Sequence, residues 1–239
     1  MKKICSFLTF LLCISFFLSS LPAAEDTLYA SGFGINEWSE EDWISVKSPR
    51  WDYIGSWLQR EDHIKNLTPP GHDPDRLIGS PHAYTSMVLK ETFSLDEALE
   101  VTCRMEFEYD QGPQIVLAWV LGEDENGYPE YREHLEIVLW SRGINIWHHT
   151  YRDGEVSWVR KAYGRFPLKR RTQYDLKVRV EEPRRRAGSP EPEGKVIAVS
   201  VDGENLFAYH EPALPPQIHA GIIGYASINR FYNFEVVRP

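Results

Sequence analysis

Cysteine is scarce in this chain. Three occur in 239 residues, and two of them, Cys5 and Cys13, fall in an apolar stretch at the N-terminus that reads as a removable leader. Cys103 is then alone, which excludes an intramolecular disulfide. Its apolar strand-like setting predicts a buried, inert thiol. Helical periodicity is also nearly absent, apart from "SLDEALE" (residues 94–100), which could form a turn or two of helix. Basic residues are outnumbered, with 26 Lys and Arg against 35 Asp and Glu and a formal charge of −9. That balance argues against nucleic acid and anionic lipid as main partners. No HExxH, CxxC, GxSxG or phosphate-loop pattern occurs, and no internal repeat.

Lys2 and Lys3 precede an apolar run from Ile4 to Leu21, followed by Pro22-Ala23-Ala24 and acidic Glu25-Asp26. This three-part layout is that of a secretory signal over residues 1–24, cleaved after Ala23 or Ala24. A retained membrane anchor is the plainer alternative, because the run is near the lower limit for a span. Cys13 has no small residue before it, which argues against a lipoprotein site. Export to the periplasm or the extracellular space follows, with no membrane partner after cleavage. The remaining stretch, residues 25–239, has the size of one β-rich domain.

Period-two alternation, split by Gly, Pro, Asp and Asn, marks about a dozen strands. They are Tyr84–Phe93, Val101–Tyr109, Gln114–Leu121, His134–Trp140, Ile144–Tyr151, Val156–Tyr163, Tyr174–Glu181, Val196–Asp202, Leu206–His210, His219–Tyr225 and Arg230–Val237. Short strands at regular spacing without helices between them predict an all-β, antiparallel two-sheet sandwich or jelly roll. The segment from Glu25 to Pro81 is less regular and holds Trp38, Trp43, Trp51 and Trp57. It reads as edge strands and loops packed on the sandwich. "PRRRAGSPEPEG" (residues 183–194) reads as a surface loop inside the domain.

"HLEIVLWSRGINIWHH" (residues 134–149) carries the most chemistry. With Arg142-Gly143 as a two-residue turn, Glu136 faces His149 across the strands. Side-chain alternation then sorts the hairpin. Leu135, Ile137, Leu139, Ile144, Ile146 and His148 take the core side. His134, Glu136, Val138, Trp140, Asn145, Trp147, His149 and Tyr151 share the other. Indoles and a phenol give flat apolar platforms for sugar C–H faces, and carboxylate, amide and imidazole bond hydroxyls. The substrate-binding candidates are therefore His134, Trp140, Asn145, Trp147 and Tyr151, with Glu136 and His149 as catalytic candidates. An exposed aromatic ladder with a simple Glu–His cross-strand pair is the plainer reading.

"VTCRMEFEYD" (residues 101–110) places Glu106 and Glu108 on one strand face, about 6.5–7 Å apart. Paired carboxylates near that spacing run glycoside hydrolysis, which adds Glu106 to the catalytic candidates; a solvated strand face is the alternative. "EDENG" (residues 123–127) offers oxygen ligands without the spacing of a helix–loop–helix calcium site. An acidic turn is the simpler reading, with a structural calcium ion the alternative. No other cofactor and no catalytic metal is indicated, since adjacent His148 and His149 point to opposite faces. Asn66-Leu67-Thr68 is a glycosylation sequon in a eukaryotic secretory route.

The closing stretch has a strand, Asp202-Gly203 at a turn, a short strand, "HAGIIGY" and "INRFYNFEV". It resembles the last strands of concanavalin A-like (laminin G/glucanase) jelly rolls. Within that group the chain resembles bacterial secreted domains related to the 3-keto-disaccharide hydrolase family. "GSWLQREDHIKN" (residues 55–66) is similar to their opening strand pair, and "YREHLEIVLW" (residues 131–140) to their central strand. Glu136 matches that strand's glutamate, while Trp140-Ser141 stand where those domains carry an aspartate. The resemblance implies hydrolysis of oxidised disaccharides or related glycosides, with a base removing the ring proton that a 3-keto group acidifies. His149 and Glu136 would supply base and orienter, and Trp140 and Trp147 would hold the sugar. Two other readings share the same surface: a non-catalytic, lectin-like sugar-binding module, and an envelope domain that contacts protein through its Trp-rich face.

Overall fold

The computed structural model describes residues 25–51, 53–67, 84–109, 111–183 and 193–239. The leader, Thr68 of the sequon, the Pro69–Pro74 breaks and most of the "PRRRAGSPEPEG" loop lie outside these residues.

Two antiparallel sheets make the molecule. The first runs in spatial order β11 (Glu155–Arg165), β10 (Gly143–Arg152), β9 (Pro129–Trp140), β8 (Gln111–Glu123), β15 (Gln217–Gly224), β5 (Thr85–Leu89) and β2 (Trp43–Ser45), with β6 (Phe93–Ser94) paired to β15. The second runs β14 (Glu204–Glu211), β13 (Lys195–Val201), β12 (Tyr174–Glu181), β7 (Leu99–Phe107), β16 (Asn229–Phe231), β4 (Ile64–Asn66) and β3 (Trp57–Gln59). β17 (Asn233–Arg238) also pairs with β7, and β1 (Asp26–Gly32) pairs with β17. This is an antiparallel two-sheet jelly-roll sandwich.

Alternation builds it. On β12, Tyr174, Leu176, Val178 and Val180 are buried while Asp175, Lys177, Arg179 and Glu181 are partly exposed. On β7, Val101, Cys103, Met105 and Phe107 are fully buried. They meet Ile115, Leu117, Leu135, Ile137, Ile144 and Ile146 of the facing sheet in one continuous core. Each such aliphatic side chain contributes about 1.5–3 kcal/mol on burial. The Cys103 thiol lies in this layer, where its Sγ donates to the Asn233 carbonyl at 2.9 Å, and burial pushes its pKa well up. It is buried, as its setting predicts.

The helix expected over residues 94–100 does not form. Leu95 and Leu99 are both buried, and β7 already begins at Leu99. Ser94 Oγ bonds Asp96 and closes a turn instead. A Leu-x-x-x-Leu spacing suits a helix face equally well, and the sandwich core took both leucines separately. The single closing strand expected over Arg230–Val237 is two strands, β16 and β17.

A second, smaller apolar cluster covers part of the outer face of the eight-stranded sheet. Val46, Tyr84, Val88, Val116, Ala118, Tyr131 and Ile223 form it, with Trp51 and Tyr225 packed on its edge. The segment after β2 brings this cover. Lys47 N–H donates to the Pro129 carbonyl at 2.8 Å, and Tyr131 N–H donates to the Lys47 carbonyl at 3.1 Å. Those bonds moor the segment beside the start of β9.

The acidic turn 123–127 caps the β8–β9 hairpin. Asp124 Oδ1 accepts from the Asn126 and Tyr128 amides, and Oδ2 accepts from Lys47 Nζ at 2.7 Å. The Lys47 ammonium and those amides hold the Asp124 carboxyl down at about 2. Both oxygens are thus already engaged by protein donors.

Candidate functional site

The β9–β10 hairpin turns at Ser141-Arg142, one residue earlier than the sequence suggests. Gly143 opens β10 with φ +151, and a Cβ there would sit 2.0 Å from the Gly164 carbonyl oxygen of β11. Gly143→Ala is therefore expected to cost on the order of 3 kcal/mol in urea unfolding, since both the backbone conformation and the β11 ladder resist it.

The earlier turn moves each cross-strand pair by two residues. Glu136 lies opposite Trp147, and His149 opposite His134. A shift of two keeps every side chain on its expected face. His134, Glu136, Trp147 and His149 thus share the outer face, and Leu135, Ile137, Ile144 and Ile146 fill the core. His148 has the core parity but only partial burial; it tilts against Trp119 and bonds Glu133 at 3.0 Å.

Glu136 is the centre of the site and is only 4 % exposed. His134 Nε2 donates to its Oε1 at 3.2 Å. His149 Nε2 lies 3.2 Å from Oε2 but is out of line for a hydrogen bond and has no other partner. The two imidazoles stack at 4.8 Å and 13°, and the Tyr131 ring packs under His134 at 4.3 Å. Arg50 Nη2 stands 3.8 Å from Oε1. A turn places it there: Trp51 N–H donates to the Ser48 carbonyl, and Arg50 Nε donates to Ser48 Oγ.

The charges follow from this packing. Burial pushes the Glu136 carboxyl up, but the imidazoles of His149 and His134 and the Arg50 guanidinium outweigh it and hold it well below the usual range. Burial pushes His134 down to about 4, against the hydrogen bond it donates to Glu136, which raises it. At neutral pH the floor is an ionised carboxylate beside a neutral His134. Such a carboxylate accepts protons and hydrogen bonds and donates none.

Above Glu136 is a cleft of about 180 Å³. Gln114, Glu136, Val138 and His149 form its floor; Arg50, Trp147, Trp158 and Tyr225 form its walls. Gln114 is 2 % exposed and its buried Oε1 has no hydrogen-bond partner. A larger groove of about 650 Å³ crosses the other sheet over Glu100, Lys177 and Arg179. Its charges are already paired, Lys177 to Glu100 at 2.5 Å and Arg179 to Glu100 at 2.9 Å and Glu181 at 2.8 Å. The smaller cleft has the unsatisfied groups and the aromatic walls.

His134, Glu136 and His149 offer ligand atoms within 4.8 Å of one another, a set that could hold a metal ion. The Arg50 guanidinium already supplies positive charge to that carboxylate, and His134 already donates to it.

The other expected residues take different places. His134 lies behind Glu136 and not in the cleft wall. Asn145 is on the outer face but buried. Trp140 is further along that face, against Tyr163 at 6.1 Å. Tyr151 is at the opposite end of β10, with the Arg132 guanidinium 4.6 Å over its ring. Glu106 does not join the site. Its strand, β7, belongs to the other sheet, where Glu106 accepts from Arg230 at 2.7 Å and from Tyr232 Oη at 3.0 Å. Glu108 bonds the same Arg230. Neither carboxylate approaches Glu136 as a catalytic pair must.

Sequence reasoning missed Arg50, Gln114, Trp158 and Tyr225. Trp158 was within reach: it sits opposite His149 on β11, and extending the alternation one strand further finds it. Gln114, opposite Val138 on β8, was within reach in the same way. Tyr225 ends the strand expected over His219–Tyr225, one residue past β15 and in the same outer cluster as Ile223, so alternation reaches it too. Arg50 arrives on a loop, for which no periodicity exists.

No protein-family model matches the chain, and no curated protein matches it. Solved structures do. The kappa-carrageenase from Pseudoalteromonas carrageenovora, in complex with an oligotetrasaccharide of kappa-carrageenan, superposes with TM-score 0.56 at 10% identity, over 92% of this chain and 98% of that one. The Emp46p carbohydrate recognition domain gives 0.55 at 14% identity, over 87% and 95%. The carbohydrate binding module CBM66 from Bacillus subtilis gives 0.51 at 11% identity, over 82% and 94%. At these identities the likeness shows the fold alone, the antiparallel two-sheet jelly roll described above.

Proposed function

We propose that the chain is an exported carbohydrate-active protein whose cleft over Glu136 takes one sugar ring and cleaves its glycosidic bond. The observation that carries this reading is an ionised, buried carboxylate with an imidazole at the floor of an aromatic-walled cleft. Isolated burial of that charge would be costly, and the offset comes from Arg50 and two histidines. The names of the similar structures, a carrageenase, a carbohydrate recognition domain and a carbohydrate binding module, support a sugar as the ligand.

The chemistry is narrowed by what lines the cleft. Two-carboxylate hydrolysis needs a second acid within reach, and Glu136 is the one carboxylate among the described lining residues. Chemistry driven by a single base fits better. A 3-keto group acidifies the neighbouring ring proton. His149 takes that proton, Glu136 offsets the charge His149 gains, and Arg50 faces the oxygen on which negative charge grows. The C–H electron pair forms the ring double bond as the glycosidic C–O bond breaks, the departing oxygen takes the proton from His149, and water then adds across the double bond.

The test is a turnover screen of the purified mature chain on glycosides and 3-keto-glycosides, beside a glycan array. Turnover of a keto-glycoside that Glu106→Gln leaves intact supports the reading. Binding without turnover makes the protein a sugar-binding module, the alternative that the Arg50 and His134 contacts to Glu136 favour. Absence of both removes the sugar from the account.

A further inference from the structure

The cleft continues into a strip that the mechanism does not use. β11 is an edge strand whose outer face carries Trp158, Arg160 and Tyr163. A register shift at Ile146/Trp147 leaves Lys161 unpaired and keeps Arg160 and Tyr163 on the same side. Arg160 Cζ lies 5.9 Å from the Trp147 ring and 5.8 Å from the Tyr163 ring. Tyr163 then meets Trp140, and the Arg142 guanidinium lies 5.5 Å over that indole. Rings and guanidiniums run together from the cleft wall to the hairpin turn. Trp158 and Tyr163 are 52 % and 43 % exposed.

The arginines are the informative part. On the other sheet Arg104, Arg179 and Arg230 each hold a carboxylate. Arg142 and Arg160 have none among the described residues; their contacts are to rings. A guanidinium laid on an aromatic face keeps its in-plane N–H edges free, and those edges suit a carboxylate or sulfate bidentately. Guarding an edge strand needs charge anywhere along it; it does not need that charge stacked on outward-facing rings. The strip is cationic in a chain whose net charge is −9, so the positive field there is local.

We infer that this strip binds an acidic glycan chain, with uronate carboxylates or sulfate esters on Arg142 and Arg160 and sugar faces on Trp158, Tyr163 and Trp140. The inference rests on the reading of the cleft as a sugar site and assigns its substrate to the anionic class. Affinity electrophoresis and calorimetry of the full chain would use polygalacturonate, dextran sulfate, neutral dextran and duplex DNA. Binding to one or both acidic glycans is expected, about tenfold or more above neutral dextran and weakening with added salt. Arg142→Gln with Arg160→Gln should remove that preference without moving the melting temperature, both side chains being at the surface. The uronate and sulfate arms say which anion is read. Equal binding of neutral and acidic glycans overturns the inference and leaves the sugar cleft standing. Duplex DNA bound as tightly as the acidic glycans also overturns it, as plain polyanion attraction. Loss of every glycan signal takes the cleft reading down as well.

Discussion

Glu136→Gln is expected to lower turnover by about 10²–10⁴-fold, the range for removing a participant in proton transfer. The substitution keeps the shape and one acceptor oxygen, deletes the charge and turns the other acceptor into an N–H donor. His149 would then gain its proton with no anion beside it, at 3.2 Å in the native protein. Arg50, 3.8 Å away, would lose its carboxylate too. Arg50 borders the open cleft and can be rehydrated, so the stability cost stays near about 2 kcal/mol. For a chain of this size that lowers the melting temperature by roughly 4–8 °C. Steady-state kinetics with calorimetry on the same preparation separates the effects. A fallen melting temperature with turnover intact would make Glu136 a purely structural anion, and the proposed chemistry would fail.

Acid is the second large lever. An unfolded histidine takes its proton near pH 6.5, whereas His134, pushed down by burial, does so only at about 4. Between those values the unfolded state binds more protons, so folding weakens as the pH falls, by about 3 kcal/mol over the full window. Glu136 acts with the same sign further down. Its folded carboxyl is held well below the usual range, so stability present above the unfolded value near 4.5 is lost as the pH drops below it. Urea midpoints measured from pH 8 to pH 4 should therefore decline from about pH 6.5. His134→Asn, which cannot titrate there, should flatten the upper part of that decline whatever it does to the absolute stability. An unchanged slope in the variant would show that His134 is accessible to protons in the folded state.

These expectations depend on residues of which only some were legible. β12 was readable to its ends, because Tyr174, Leu176, Val178 and Val180 alternate without interruption. The two faces of the β9–β10 hairpin were readable even though the turn was misplaced, since an error of two in the pairing leaves parity intact. Glu106 shows the limit. Its side of the strand was right, with Met105 and Phe107 buried and Glu106 partly exposed. Alternation gives a side and never says which sheet the strand joins, so it could not show that the Glu106–Glu108 pair lies on the sheet away from Glu136, closed onto Arg230. Leu95 and Leu99 fit two periodicities, and only the packed core decides between them. Arg50 reaches Glu136 across 85 intervening positions of chain, a contact that depends on how Lys47 docks beside β9.

That docking has a consequence for how the protein can change. The Ser48–Trp51 turn is moored through Lys47, by two backbone bonds and the ion pair with Asp124, and joins no strand ladder among the described residues. Glu136, His134 and His149 are fixed from beneath by β9 and β10. Residues can be exchanged or inserted in the turn at low entropic cost, and the reactive floor stays where it is. The canopy and the floor are separable parts. Grafting a foreign turn that keeps Arg50 in place of residues 48–51 would alter which ring is admitted while Glu136, His134 and His149 keep their positions.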